Sequence, residues 1–82
     1  MLLASQIRAA RSLIGWTARE LSDRSGVSLA TIQRLETQAG VPASHPRTLQ
    51  DLKKAFEEAG LEFIGTPDNF PGVRITTEKK LG

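Results

Sequence analysis

The chain has 82 residues, of which 39% are hydrophobic, a formal net charge of +2 and no cysteine. That is room for one domain and no more, with a core small enough that a partner subunit is expected to add stability. Lack of cysteine excludes a disulfide framework and a thiolate zinc site, no apolar run approaches spanning length, and the N-terminal residues lack a signal-peptide apolar segment. A cytoplasmic protein with no membrane partner is expected.

Ile7, Ala10 and Ile14 recur at helical spacing with Arg8 and Arg11 between them, which predicts an amphipathic helix over 3–14. Gly15 ends it as a cap. Thr17 followed by Glu20 is a capping box, and Trp16 before the cap with Leu21 after it forms a hydrophobic staple. A second helix is predicted over 18–24. Gly26 tolerates the positive φ that closes it, Val27 is a buried plug, and Ser28 is an N-cap for a third helix. Ile32 and Leu35 give that helix its apolar stripe, and it ends near 36 or 37.

Residues 38–45 contain Gly40, Pro42 and Ser44 without periodicity and read as a loop. Pro46 suits the first turn of a fourth helix, whose inward face is Leu49, Leu52, Ala55, Phe56 and Ala59, with Gly60 capping its end. The period then changes to two at Leu61–Phe63 and again at Val73–Ile75. Turn formers lie between, so the expectation is a β-hairpin with a long connecting loop. The organisation expected is a DNA-binding domain over 1–60, a hairpin over 61–76 and a frayed tail over 77–82.

Two short helices joined by a tight glycine turn have the spacing needed to lay one helix across a DNA backbone and project the next into the major groove. The basic residues over 1–35 are all arginine: Arg8, Arg11, Arg19, Arg24 and Arg34, against Glu20 and Asp23. Arginine suits planar, bidentate contacts to phosphate and guanine. Arg34 has the chemistry to bind guanine O6 and N7, and Gln33 the chemistry for adenine. Leu29 and Ala30 offer only apolar contact, for instance to thymine methyls.

The string TARELSDRSGVSLATIQRLE, from Thr17 to Glu36, resembles the helix-turn-helix of Cro/cI-type, or Xre-type, regulators, which share the phage-repressor fold. The resemblance runs from about residue 5 to residue 60. LEFIG and PGVRI are similar to the C-terminal hairpin of some small bacterial members. It implies a mainly α fold: a four-helix, phage-repressor-like DNA-binding domain followed by a β-hairpin. It also implies that Ser28, Leu29, Ala30, Thr31, Gln33 and Arg34 face the bases. Thr17 and the amides of Ala18 and Arg19 would bind phosphate, aided by the helix dipole, and Arg47, placed just before helix four, would grip the backbone. An ion pair between Arg11 and Glu36 would tie the reading helix to the body of the domain. The family favours glutamine at Ala18, alanine at Ser22 and an apolar residue at Ser25, and these departures are expected to loosen the helix packing slightly.

His45, the single histidine, has no cysteine and no carboxylate cluster near it and reads as a helix-start residue rather than a metal ligand. Trp16 reads as a core plug rather than a base-stacking platform. Glu57 and Glu58 fall on the outer side of the fourth helix. No nucleophile with a base and an orienting partner, phosphate-cradling glycine loop or paired carboxylates can be assembled, so no enzyme, metal or cofactor is expected. The reading is a homodimeric transcriptional regulator, a repressor rather than an activator, on a palindromic double-stranded operator, dimerised through the hairpin. The alternative is the antitoxin of a toxin–antitoxin pair, which binds a toxin partner as well as DNA.

Overall fold

The structure, a computed structural model, describes residues 2–38, 40 and 44–76. Four helices, α1 (Ala4–Ile14), α2 (Ala18–Ser25), α3 (Leu29–Glu36) and α4 (Pro46–Glu58), are followed by the antiparallel strands β1 (Leu61–Thr66) and β2 (Asn69–Ile75). This is the mainly α architecture with a C-terminal hairpin that the sequence predicts. The predicted tail and Pro42 of the predicted loop lie outside the described residues.

The apolar positions of each helix converge on one core. Ile7 and Ala10 enter it from α1, Leu21 from α2, Val27 from the turn, Ile32 and Leu35 from α3, Leu52, Ala55 and Phe56 from α4, and Leu61 from β1. Full burial of a Leu, Ile or Phe side chain contributes about 1.5–3 kcal/mol, and six such side chains are fully buried. Leu49 and Ala59, predicted on the inward face of α4, are only half-buried. Trp16 stacks on Phe56 with centroids 5.7 Å apart, and Phe63 meets Phe56 edge-on at 5.7 Å. The hairpin is therefore fastened to the helical core through its inward face, where Val73 also packs.

A second fastening is polar. Gln6, a buried side chain on α1, donates from Nε2 to the carbonyl of Gly72 on β2 at 2.9 Å and accepts at Oε1 from the amide of Leu3 at 2.9 Å. Both ends of the amide are satisfied, as burial demands.

The hairpin corrects one expectation. Its connection is not a long loop: Thr66 pairs with Asn69, and only Pro67 and Asp68 turn the chain. The register shifts between Ile64 and Thr66, so that Phe70 and Pro71 stand opposite Gly65 alone. This bulge accommodates Pro71, which has no N–H to give a ladder. Gly65 has φ +76, and a Cβ there would lie 2.2 Å from the carbonyl oxygen of Phe70. Phe70 itself has φ 53, a conformation that bulky residues rarely adopt. Arg47 corrects another: it lies inside the first turn of α4, because Pro46 begins the helix and His45 caps it, Nδ1 accepting from the amide of Arg47 at 3.1 Å.

Candidate nucleic-acid interface

The α2–turn–α3 unit is held by local hydrogen bonds. At the start of α2, Thr17 Oγ1 accepts from the amide of Glu20 at 3.1 Å, and Glu20 Oε1 accepts from the amide of Thr17 at 3.2 Å. The guanidinium of Arg24 lies over Trp16, 5.1 Å from the ring centroid. Gly26 closes α2 at φ 78, its amide bonded to the carbonyl of Ser22 at 2.9 Å. A Cβ on Gly26 would meet nothing within 4 Å, so backbone conformation, not space, requires glycine there.

Ser22 and Ser25, the two departures at the end of α2, both make hydrogen bonds to the backbone. Ser22 Oγ donates to the carbonyl of Val27 at 2.6 Å, Ser25 Oγ donates to the carbonyl of Leu21 at 2.7 Å, and Ser25 Oγ accepts from the amide of Val27 at 3.1 Å. The bonds to the carbonyl and amide of Val27 tie the turn to the end of α2 and are ones an alanine or apolar side chain cannot make, each worth about 1 kcal/mol, while the Ser25 bond to Leu21 runs back along the helix itself.

At the head of α3, Ser28 Oγ accepts from the amide of Thr31 at 3.2 Å and donates to Thr31 Oγ1 at 2.8 Å. Ile32 and Leu35 are fully buried, which turns Ala30, Gln33 and Arg34 outward as one exposed stripe. Thr37, exposed and one further turn along, lies on the same stripe. Leu29 and Thr31 are half-buried at its borders, and Ser28 is exposed at its head.

Two arginines of α1 hold the far end of α3. Arg11 donates from Nε to Glu36 Oε2 and from Nη2 to Glu36 Oε1, both at 2.7 Å, and from Nη1 to the carbonyl of Trp16 at 3.1 Å. The side chains are 22% and 10% exposed. The hydrogen bond to Glu36 raises the pKa of Arg11 further above its already high value, burial working against it and the coulombic attraction of Glu36 with it. Arg8 Nη1 donates to the backbone carbonyl of Glu36. Unlike α1 and α2, α3 does not end on a left-handed glycine; Thr37 is right-handed. Arg8 thus supplies a C-terminal cap and a cation at the negative end of the helix dipole. Sequence reasoning missed Arg8 and Thr37, although Arg8 stands one turn before Arg11, and Thr37 one turn beyond Gln33 and Arg34.

The phosphate candidates occupy two helix starts. Thr17, Ala18 and Arg19 form the beginning of α2, with Arg19 exposed and Ala18 half-buried. Arg47 is exposed in the first turn of α4. The leading amides of a helix have no acceptor within it and carry the positive end of its dipole.

Two short helices locked at a glycine turn, the second with its outward stripe exposed, define a helix-turn-helix DNA-binding domain. A family model described as helix-turn-helix (HTH_3) matches residues 7–57, from the first turn of α1 to the last turn of α4. The chain belongs to this family of Cro/cI-type, Xre-like DNA-binding regulators. A search of curated proteins found no significant match. No helix among the described residues is long and apolar enough to cross a membrane.

Proposed function

We propose that the protein is a homodimeric, sequence-specific repressor that acts in the cytoplasm and inserts α3 into the major groove of a palindromic operator. The observation that carries this reading is the division of α3 into a locked face and an open one. Ile32, Leu35 and Glu36 are held by the core and by Arg11, while Ala30, Gln33 and Arg34 lie exposed on one stripe. In this reading Arg34 takes guanine and Gln33 adenine, with Ser28, Leu29, Ala30 and Thr31 at the leading end of the helix. Thr17, Ala18 and Arg19 seat the start of α2 on one phosphate, and Arg47 grips another.

One such unit, residues 1–60, covers few base pairs, so two copies reading half-sites about one helical turn apart are required for useful specificity. The hairpin over 61–76 is the proposed dimer element. A two-stranded sheet leaves unpaired edges, and its outer parts expose Ile64, Phe70 and Ile75. Selection of bound sequences from random duplex DNA at moderate salt tests the reading. A palindrome with half-sites about one turn apart supports it, and no enrichment refutes it.

Phe70 favours a second reading. The residue is 90% exposed on a strained backbone, the kind of anchor a partner protein buries. An antitoxin that neutralises a toxin through this ring would lose protection, but not DNA binding, on Phe70→Asp. Co-expression with a small toxin encoded beside it, scored by growth, decides the matter.

A further inference from the structure

We infer that two copies of the chain join through the outer edge of β1, antiparallel about a two-fold axis at Phe63, so that their hairpins form one four-stranded sheet. This rests on the homodimer reading above and adds the strand edge and the register that the copies share.

The ladder within the hairpin decides which backbone groups are left over. The amide of Thr76 donates to the carbonyl of Gly60 at 2.8 Å, and Leu61 stands opposite Ile75. Bonded and non-bonded positions alternate along an antiparallel pair. Leu61 and Phe63 therefore turn their N–H and C=O away from β2, and Val73 and Ile75 turn theirs away from β1. The two edges are not equivalent. β2 is bulged at Phe70 and Pro71, where Phe70 is left-handed and Pro71 has no N–H, devices that blunt an edge. Gln6 also engages β2 from α1, at Gly72. Neither proline nor positive φ interrupts β1 from Leu61 to Ile64.

Side chains set the register. A two-fold axis at Glu62 would place two carboxylates directly opposite each other, which is unfavourable. An axis at Leu61 would run the row into the end of α4, and one at Ile64 would run it into the bulge. An axis at Phe63 sets Glu62 opposite the exposed Ile64 of the second copy. The aliphatic part of Glu62 then covers that side chain, while its carboxylate keeps its own Arg74, whose Nε donates at 2.6 Å. Phe63 opposite Phe63 is the wider, hydrogen-bonded kind of pair, and each ring stays against its own Phe56. Gly65, falling opposite Leu61 of the second copy, puts no side chain between that copy and Phe70.

The chain has no cysteine, so introduced cysteines report the join without background. Glu62→Cys and Ile64→Cys, both outside the buried core, should link when the two variants are mixed and oxidised, doubling the mass from 8.9 kDa. The narrow, non-bonded pair that they would occupy lies within disulfide reach. Either variant alone should stay unlinked, its two cysteines being offset by two positions along the join. In the wild-type chain, amide exchange at Phe63 should slow as concentration rises through the association range seen by sedimentation, with no slowing at Val73 or Ile75. A dimer that protects Val73 and Ile75 instead, or whose mixed cysteines stay unlinked, would overturn the inference and leave the homodimer standing. A wild-type chain that is monomeric at high micromolar concentration would remove the homodimer and this inference together.

Discussion

Gln6 and Gly72, 66 residues apart in the chain, are joined by a hydrogen bond of 2.9 Å from the side-chain amide to the backbone carbonyl. It is the polar counterpart of the Phe56–Phe63 contact, and together they hold the hairpin on α1 and α4. Gln6→Leu removes the donor to Gly72 and the acceptor for Leu3 at once. We expect it to cost about 1–3 kcal/mol in urea unfolding, with faster amide exchange in β2 than in α3. Uniform acceleration throughout would mean that the bond adds global stability without latching the hairpin.

Arg11→Ala leaves Glu36 without its guanidinium partner in a site where that carboxylate is 10% exposed. The expected loss is about 2–4 kcal/mol, below the full buried-pair value because Arg11 keeps some solvent contact. The double variant Arg11→Met, Glu36→Leu should recover much of it. The pKa of Arg11 is raised on folding, so its contribution is complete below its unfolded pKa and is lost only as pH rises through the folded one, both far into alkali. Its titration should therefore add no slope to stability between pH 6 and 9. A steep Arg11-dependent slope there would contradict this assignment.

Arg34→Ala and Arg47→Ala should differ in kind. The first should lose about 1–3 kcal/mol on the selected operator, concentrated at one base-pair position. The second should weaken all sequences alike and lower the slope of log affinity against log salt by about one. Equal losses on operator and random duplex for Arg34→Ala would remove it from the base-reading set.

Phe70 has a left-handed backbone and an exposed ring. Phe70→Asn, which adopts that backbone more readily, should keep or raise monomer stability and weaken self-association, measured by sedimentation across the micromolar range. A wild-type chain that is monomeric at high micromolar concentration would refute dimerisation through the hairpin.

What was legible in the sequence was local. The Thr17–Glu20 capping box, the Ser28 cap and the turn at Gly26 are short-range devices whose partners lie within four residues. The outward stripe of α3 follows from the period of Ile32 and Leu35. What could not be read depended on distant or unconventional pairing. Gln6 finds Gly72, and Arg8 finds the carbonyl of Glu36, only once the helices have packed. Ser22 and Ser25 depart from family preference yet bond the turn, because a hydroxyl near a helix end competes well for backbone groups. The two-residue turn at Pro67 and Asp68 is flanked by further turn formers, so composition does not mark where the strands end. Thr66, Asn69, Pro71 and Gly72 signal a loop by composition, but the structure places them in strands, with a bulge before Gly72.

The most direct test of the central claim is the change in backbone amide NMR shifts of the isotope-labelled chain on titration with its selected duplex. The account predicts the largest changes at Ala30, Gln33 and Arg34, with further changes at Ala18, Arg19 and Arg47 and little at Glu57 and Glu58 on the exposed side of α4. Changes confined to the hairpin, with α3 unmoved, would show that the helix with the open stripe is not the one that reads DNA.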